Sequence, residues 1–301
     1  MTLPRVLFIV GQTAVGKTAL SLAVAQQLGG EIISADSRQI YRHMDIGTAK
    51  ASPAERALVP HHLIDVVDPS ETYTLAQYRD AALAHIHDIH AHGRLPMVVG
   101  GTGQYVAALL EGWSIPEIPP DTTIRTQLEA RAASEGGAAL YAQLQALDPV
   151  AATQIHATNV RRVIRALEVC LSTGQPFSQL RQAHPLTFAP VVVWLTCDTP
   201  TLYARIDARV DAMMQAGLPD EVLRLRDMGY GWELPAMSGI GYREFQPWCA
   251  GTADMAAVAE RIKFNTHAFA RRQATWFRRW ECMQTHAGDV AGVVRAMKNE
   301  E

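Results

Sequence analysis

The sequence predicts an α/β protein: a parallel sheet flanked by helices, interrupted by an all-helical insertion. Three observations carry that prediction. Apolar runs of strand length alternate with helical patterns in both halves of the chain, as in a parallel, doubly wound sheet. A Gly-rich loop, "GQTAVGKT" from Gly11 to Thr18, separates the first such run from the first helical pattern. A strand-free helical stretch, 121 to about 182, then divides the strand-bearing parts.

The elements follow in order. "VLFIV" (6–10) is a strand, and "TALSLAVAQQL" a helix stopping at Gly29-Gly30. "EIISA" (31–35) is a second strand running into "DSRQIY"; "HLIDVV" (62–67) is a third, ended by the turn signal "DPS". A helix over "LAQYRDAALAHIHDIHAHG" and a strand over "LPMVVGG" (95–101) come next. The prolines of "WSIPEIPP" (113–120) mark a linker. Helices over "TTIRTQLEARAAS", "AALYAQLQAL" and "NVRRVIRALEVCLSTG" make the insertion. Strand "PVVVWLTCD" (190–198) rejoins the sheet, and two helices follow, "TLYARIDARVDAMMQAG" and "MAAVAERIKFNTHAFARRQATWFRRW". The expected division is a core of residues 1–113 and 190–301 around an insertion of residues 114–189.

Composition narrows the function classes. The chain of 301 residues is 48% hydrophobic and 19% charged, the balance of an ordinary globular enzyme. A formal net charge of -3 excludes a uniformly basic nucleic-acid binder, so any RNA contact needs a local basic patch. Cys170, Cys197, Cys249 and Cys282 never form C-x-x-C, which argues against a zinc site or a disulfide framework. No apolar run reaches the length of a membrane span. A reduced, cytoplasmic protein with no membrane partner is expected. His61, His62, His85, His87, His90, His92 and His184 read as surface or helix-face residues, because no cysteine or carboxylate pattern accompanies them.

The loop fits G-x-x-x-x-G-K-[ST], a phosphate-binding P-loop, which makes the core P-loop NTPase-like. Its backbone N–H groups and the following helix N-terminus point at phosphate oxygens. Lys17 adds a point charge and the Thr18 hydroxyl suits Mg²⁺. ATP or GTP is the usual ligand of such a loop. Asp36 ends the second strand and has three readings: metal organiser, general base, or turn residue. Ligands bind at the carboxyl ends of parallel strands, so a catalytic role is expected. "GGTGQY" (100–105) brings Thr102 to the same edge, its glycines serving a tight turn or a ligand equally well.

Arg205 and Arg209 lie one helical turn apart, as do Asp207 and Asp211. A solvated charged face is the ordinary explanation, but paired guanidinium groups also suit a diphosphate. In "ARRQATWFRRW" (270–280), Arg271, Arg272, Arg278 and Arg279 alternate with Trp276, Phe277 and Trp280. Helical spacing predicts a core stripe of Phe269, Trp276 and Trp280, with Arg271, Thr275 and Arg278 on another face. That basic face is either solvated or meets RNA phosphates. "NVRRVIR" (159–165) is a second basic cluster, and two clusters in separate domains suit a clamp on a folded nucleic acid.

With "ISADSRQIYRHMDIGTAK", "HHLIDVVDPSETYTLAQYRDAA", "LPMVVGGTGQY", "GIGYRE" and "RRQATWFRR" added in order, the chain resembles the bacterial tRNA dimethylallyltransferases (tRNA isopentenyltransferases) from about residue 6 to 280. "DSRQIYRHMDIGTAK" is the most specific block. The resemblance implies a prenyl transfer: N6 of the adenosine 3′ of the anticodon attacks dimethylallyl diphosphate, and diphosphate leaves with no ATP hydrolysed. It implies donor binding by Gly11, Gln12, Thr13, Ala14, Val15, Gly16, Lys17, Thr18 and Arg209. Asp36 would be the general base, with Lys17, Thr18 and Arg209 stabilising the leaving group and Thr18 holding Mg²⁺ as cofactor.

The resemblance also implies that the adenine is extruded into a channel through the protein. Expected tRNA contacts are Asp36, Ser37, Arg38, Gln39 and Thr102, with Arg125, Arg161, Arg162 and Arg165 in the insertion gripping the anticodon stem. Arg271, Arg272, Gln273, Trp276 and Arg278 complete the set. Two departures stand out: Gln12 replaces the usual proline and Val15 a small residue; both positions present backbone to phosphate, so little functional consequence is expected beyond loop rigidity. A monomer is expected. The competing readings are a P-loop kinase of small molecules or nucleosides, a non-catalytic RNA-binding module, and an adenylate isopentenyltransferase acting on free AMP or ADP.

Overall fold

The computed structural model describes residues 3–114, 121–180 and 182–298. Its strands are β1 (Arg5–Gly11), β2 (Gly30–Ala35), β3 (His61–His62), β4 (Leu95–Gly100), β5 (Trp113–Ser114), β6 (Gln182–Ala183), β7 (Ala189–Leu195) and β8 (Met283–Thr285). Among the described residues six of them form one sheet in the order β3-β2-β4-β1-β7-β8, every pair parallel. This is a P-loop-like α/β fold, the predicted class.

β1 sits between β4 and β7, and Val6 to Val10 are fully buried. A strand covered on both faces must be apolar at every position, so it reads as a continuous run. Its side chains alternate between two cores. Val6, Phe8 and Val10 pack with Tyr78, Ile86 and Ile89 of the helix Leu75–Ala91. Leu7 and Ile9 pack with Leu20 and Val24 of the helix Lys17–Leu28, and with Leu202 and Ile206 of the helix Thr199–Gln215.

Contacts divide the chain into two units, Met1–Leu110 with Leu186–Glu301, and Glu111–Pro185. The second unit holds the helices Thr122–Glu135, Gly137–Leu147, Pro149–Gln154, Val160–Thr173 and Phe177–Leu180 around Leu128, Leu140, Leu144, Val163 and Leu167. Asp121, Asp148 and Asn159 cap three of these helices, each side chain accepting a first-turn N–H. β5 and β6 pair antiparallel within this unit. Trp113 and Ser114, read from sequence as the start of a linker, are thus strand residues; 115–120 lie outside the described residues.

Other expectations need correction. The strand over 62–67 is only the two residues of β3, because Leu63 and Asp65 adopt left-handed backbone with φ of 60° and 58°. Side-chain chemistry overrides the apolar pattern there: the Asp65 carboxylate takes Lys50 Nζ at 2.6 Å and Arg56 Nη1 at 2.7 Å. β8 and the helix Val290–Lys298 were not predicted, the strand being too short to form an apolar run. The last long helix, Met255–Phe277, stops short of Trp280. Its buried stripe runs through Ala270, Gln273, Ala274 and Phe277, while Phe269 and Trp276 are half-buried. Arg271, Thr275 and Arg278 are exposed, as their spacing predicts.

Candidate active site

The phosphate loop leaves β1 at Gly11 and enters the helix Lys17–Leu28 through Gly16, whose left-handed φ of 107° turns the chain into the first helical turn. No side chain caps that end, so its N–H groups remain for an anion. The loop is stitched from outside. Gln273 Oε1 accepts the Thr13 N–H at 2.8 Å, and its Nε2 donates to the Gly101 carbonyl at 2.9 Å. Gln273, expected to meet RNA, is buried with its amide committed at both ends, and so joins the loop to the sheet edge. Gln12 contributes a second tie, its Nε2 donating to the Ala270 carbonyl at 3.1 Å.

Lys17 Nζ donates to the Gly11 and Gln12 carbonyls at 2.9 and 2.7 Å. Burial lowers its pKa to about 8, Asp36 opposing that shift and Arg209 adding to it. Arg209 approaches Thr13 Oγ1 at 3.5 Å, and burial lowers its pKa as well. Arg205 donates to the Val15 carbonyl at 3.4 Å. Both arginines of the pair therefore reach the loop. Thr18 is exposed in the first helical turn.

Asp36 follows β2 at the same edge, its Oδ1 accepting the Arg38 N–H at 2.9 Å. Thr102 fixes this turn: its N–H donates to the Ala35 carbonyl at 3.0 Å, and its Oγ1 accepts the Ser37 N–H at 3.0 Å. The glycines beside it serve close approach. A Cβ on Gly101 would lie 2.3 Å from Gln273 Nε2, and one on Gly103 2.4 Å from the Trp276 ring.

The block "DSRQIYRHMDIGTAK" is held by contacts from far away in the chain. Glu221, 1% exposed, accepts the N–H groups of Asp45, Ile46 and Gly47 at 3.0, 2.8 and 3.1 Å, and the Tyr242 hydroxyl at 2.7 Å. Gln39 bonds the Thr48 and Ala49 carbonyls and accepts from Ser34. The buried Lys50 ammonium meets Asp45 and Asp65, both at 2.6 Å. A buried charge saturated in this way positions backbone. Sequence reasoning missed Glu221 and Lys50; Glu221 lies 175 residues from Ile46 and carries no local signal.

Two cavities, of about 320 and 310 Å³, share a wall of Thr13, Asp36, Thr48, Ala49, Arg209 and Phe269. The first opens on Gly16, Lys17 and Thr18. The second opens on Ser37, Arg38, Thr102, Arg243 and Arg272. Arg38 donates to the Pro235 carbonyl at 2.6 Å and to Ser238 Oγ at 3.4 Å, while the Arg272 guanidinium lies 5.9 Å from the Phe269 ring. Arg271 bonds the Tyr203 hydroxyl at 2.7 Å on the exposed side of the same helix, and Trp276 lies 5.0 Å beneath Arg279. In the second unit Arg161 and Arg162 are exposed, whereas Arg125 and Arg165 meet buried Glu168 at 2.8 and 3.0 Å.

Among the histidines, His62 pairs with Glu31 at 2.7 Å and lies against His85, and His90 bonds the Arg5 carbonyl. No helix among the described residues is long and apolar enough to cross a membrane.

Comparison with known proteins fits this geometry. Residues 39–280 match the family model for IPP transferase, and residues 4–62 that for isopentenyl transferase. The chain is 58% identical over 283 residues to a tRNA dimethylallyltransferase of Roseiflexus sp. (strain RS-1), covering 94% of this chain and 93% of that one. It is 43% identical over 276 residues to a tRNA dimethylallyltransferase of Dehalococcoides mccartyi, covering 92% and 85%. A solved tRNA isopentenylpyrophosphate transferase from Bacillus halodurans superposes with a TM-score of 0.73 at 39% identity, over 98% of this chain and 96% of that one. A eukaryotic dimethylallyltransferase solved while acting on tRNA gives 0.78 at 30% identity, over 98% and 77%.

Proposed function

The chain belongs to the IPP transferase family, and from that premise we propose the reaction its residues perform. It is a tRNA dimethylallyltransferase, a prenyltransferase that moves a dimethylallyl group from its diphosphate to N6 of the adenosine 3′ of the anticodon. The observation that carries the assignment of roles is the wall shared by the two cavities. A donor on the phosphate loop and an adenine in the second cavity would meet at Asp36.

The adenine amine is a weak nucleophile because its lone pair is delocalised into the ring. Asp36 orients N6 and takes its proton as the bond to C1 of the allyl group forms. Arg38 N–H engages Oδ1, which leaves Oδ2 for that proton. Diphosphate departs as C–O breaks, and the charge it gains falls to the loop amides, Lys17 and Arg209. Thr18 suits Mg²⁺: this ion keeps several waters and takes few protein oxygens beside phosphate, and Thr18 lines the loop cavity. Held there, such an ion would supply positive charge to the diphosphate.

Ser37, Arg38, Thr102 and Arg272 on the second cavity would receive the extruded nucleotide, with Arg271 and Arg278 beside it and Arg161 and Arg162 meeting the stem. Gln39, Trp276, Arg125 and Arg165 support these surfaces through the contacts described above. The enzyme is proposed to act in the cytoplasm as a monomer. The test supplies labelled dimethylallyl diphosphate with an anticodon stem-loop, with AMP, or with no acceptor. Label on the stem-loop is expected. Label on AMP alone would replace this reading by a free-nucleotide transferase, and ATP turnover without prenyl transfer by a kinase.

A further inference from the structure

Asp207 and Asp211, one helical turn apart, belong to none of the roles assigned so far. Arg205 and Arg209 reach the phosphate loop from the same helix, Thr199–Gln215. We propose that the pairing of Asp207 with His267 positions Arg209 for the donor diphosphate, a role that rests on the transferase reading above.

Two helices meet the loop, and they do so differently. Met255–Phe277 holds it at two points: the Ala270 carbonyl accepts from Gln12 Nε2 at 3.1 Å, and Gln273 Oε1 accepts the Thr13 N–H at 2.8 Å. Thr199–Gln215 only reaches it, Arg205 coming within 3.4 Å of the Val15 carbonyl and Arg209 within 3.5 Å of Thr13 Oγ1. Contacts of that length are weak and do not fix the helix that makes them. The seam between the two helices does.

Along that seam residues 203, 207 and 211 face 271, 267 and 263, a four-residue spacing that puts each set on one helix face. The Tyr203 hydroxyl accepts from Arg271 Nη1 at 2.7 Å, Asp207 Oδ1 lies 2.9 Å from His267 Nε2, and Asp211 meets Lys263 Nζ at 2.8 Å. The outer rungs use the exposed groups Arg271 and Asp211, and exposed pairs contribute little. The middle rung differs. Asp207 Oδ1 and His267 Nε2 are both buried, and neither is hydrogen-bonded to any other group among the described residues. The Tyr203 ring lies flat on the imidazole, with centroids 4.0 Å apart and planes within 7°, which keeps the imidazole against the carboxylate. Each buried atom has only the other to offset its lost water, so this rung favours one spacing and one rotation of the two helices.

Rotation is what Arg209 depends on. At about 3.6 residues per turn, Arg205 and Arg209, two positions before and after Asp207, share the side of the helix turned away from it. With Asp207 seated on His267, that side faces the loop which the other helix already holds. Loop and helices close a triangle, and the Asp207–His267 contact is the side that sets where the Arg209 guanidinium stands.

The test is a double-mutant cycle on the whole enzyme, read by prenyl transfer to an anticodon stem-loop. His267→Ala should lower kcat/KM for dimethylallyl diphosphate roughly ten-fold or more, since a misplacement of about 1 Å suffices for such a loss. Stem-loop affinity, titrated separately, should stay within about two-fold. In an Arg209→Gln background the same substitution should cost less than about two-fold, because the group it positions is gone. Asp207→Ala, a change that suits a helix at a partly exposed side chain, is carried through the same cycle with the same expectations. It decides the matter if His267→Ala does not fold.

Equal losses in both backgrounds would overturn the proposal, because the pair would then act without Arg209. An unchanged kcat/KM for the donor, or a loss matched by weaker stem-loop binding, would overturn it as well. Failure of the unaltered enzyme to prenylate the stem-loop is a different result, which would remove the transferase reading itself.

Discussion

The two cavities that meet at Asp36 are built in opposite ways. The proposed donor side is chiefly one continuous stretch, Gly11 to Thr18, working through backbone N–H groups and Lys17, with Arg209 reaching it from a later helix. The proposed acceptor side, the second cavity, draws Arg38, Thr102, Arg243 and Arg272 from segments scattered along the chain and presents side chains. A diphosphate is small and always the same, so a preformed local loop suffices for it. An RNA chain is long and must be met at several places. The contrast predicts that donor-side changes alter chemistry and donor binding, whereas acceptor-side changes alter RNA affinity and its salt dependence.

The largest effect expected is from Lys17→Ala, which should lower kcat/KM for the donor by roughly 10²- to 10³-fold while stem-loop affinity measured by titration is unchanged. A parallel loss of RNA binding would break the contrast. Gln273→Ala removes the link between the Thr13 N–H and the Gly101 carbonyl. Two backbone groups, one of them buried, then lose their partner, so thermal or denaturant unfolding should show a loss of about 1–3 kcal/mol. Donor KM should rise with it, because the loop loses its outer tie.

The lowered pKa of Lys17 sharpens the donor side further. Its protonated form attracts diphosphate, so kcat/KM for the donor should fall as pH rises through about 8, reaching ten-fold per unit beyond it. The salt slope for RNA should show no matching break. The smallest effect expected is from Arg271→Ala on the exposed helix face, a fall of about one unit or slightly less in salt slope with turnover unchanged. An unchanged slope would place that face outside the RNA path.

The same contrast explains what the sequence revealed. β1 is buried on both faces and apolar throughout, and β2, β4 and β7 carry apolar runs of strand length, so all four were legible from the pattern. The phosphate loop was legible because its chemistry is local. β3 was misjudged because the Asp65 contacts to Lys50 and Arg56 overrule an apolar run. The aromatic stripe was misjudged for a related reason. The buried face of Met255–Phe277 carries Ala270, Gln273 and Ala274, where small residues and one amide let the helix approach the loop. Glu221 was illegible because the N–H groups it accepts lie about 175 residues away, whereas Lys50, paired with Asp45 and Asp65 nearby in the chain, forms no motif that marks it as buried.

Donor and acceptor are proposed to meet at Asp36 from opposite sides of one wall. Single-turnover transfer by Asp36→Ala, with stem-loop and donor each saturating and both affinities measured separately, tests it most directly. The expected result is a rate lower by roughly 10²-fold or more with both affinities within about two-fold of the unaltered enzyme. A rate that falls only in proportion to weakened RNA binding would contradict it, and would make Asp36 a residue that positions the nucleotide without taking its proton.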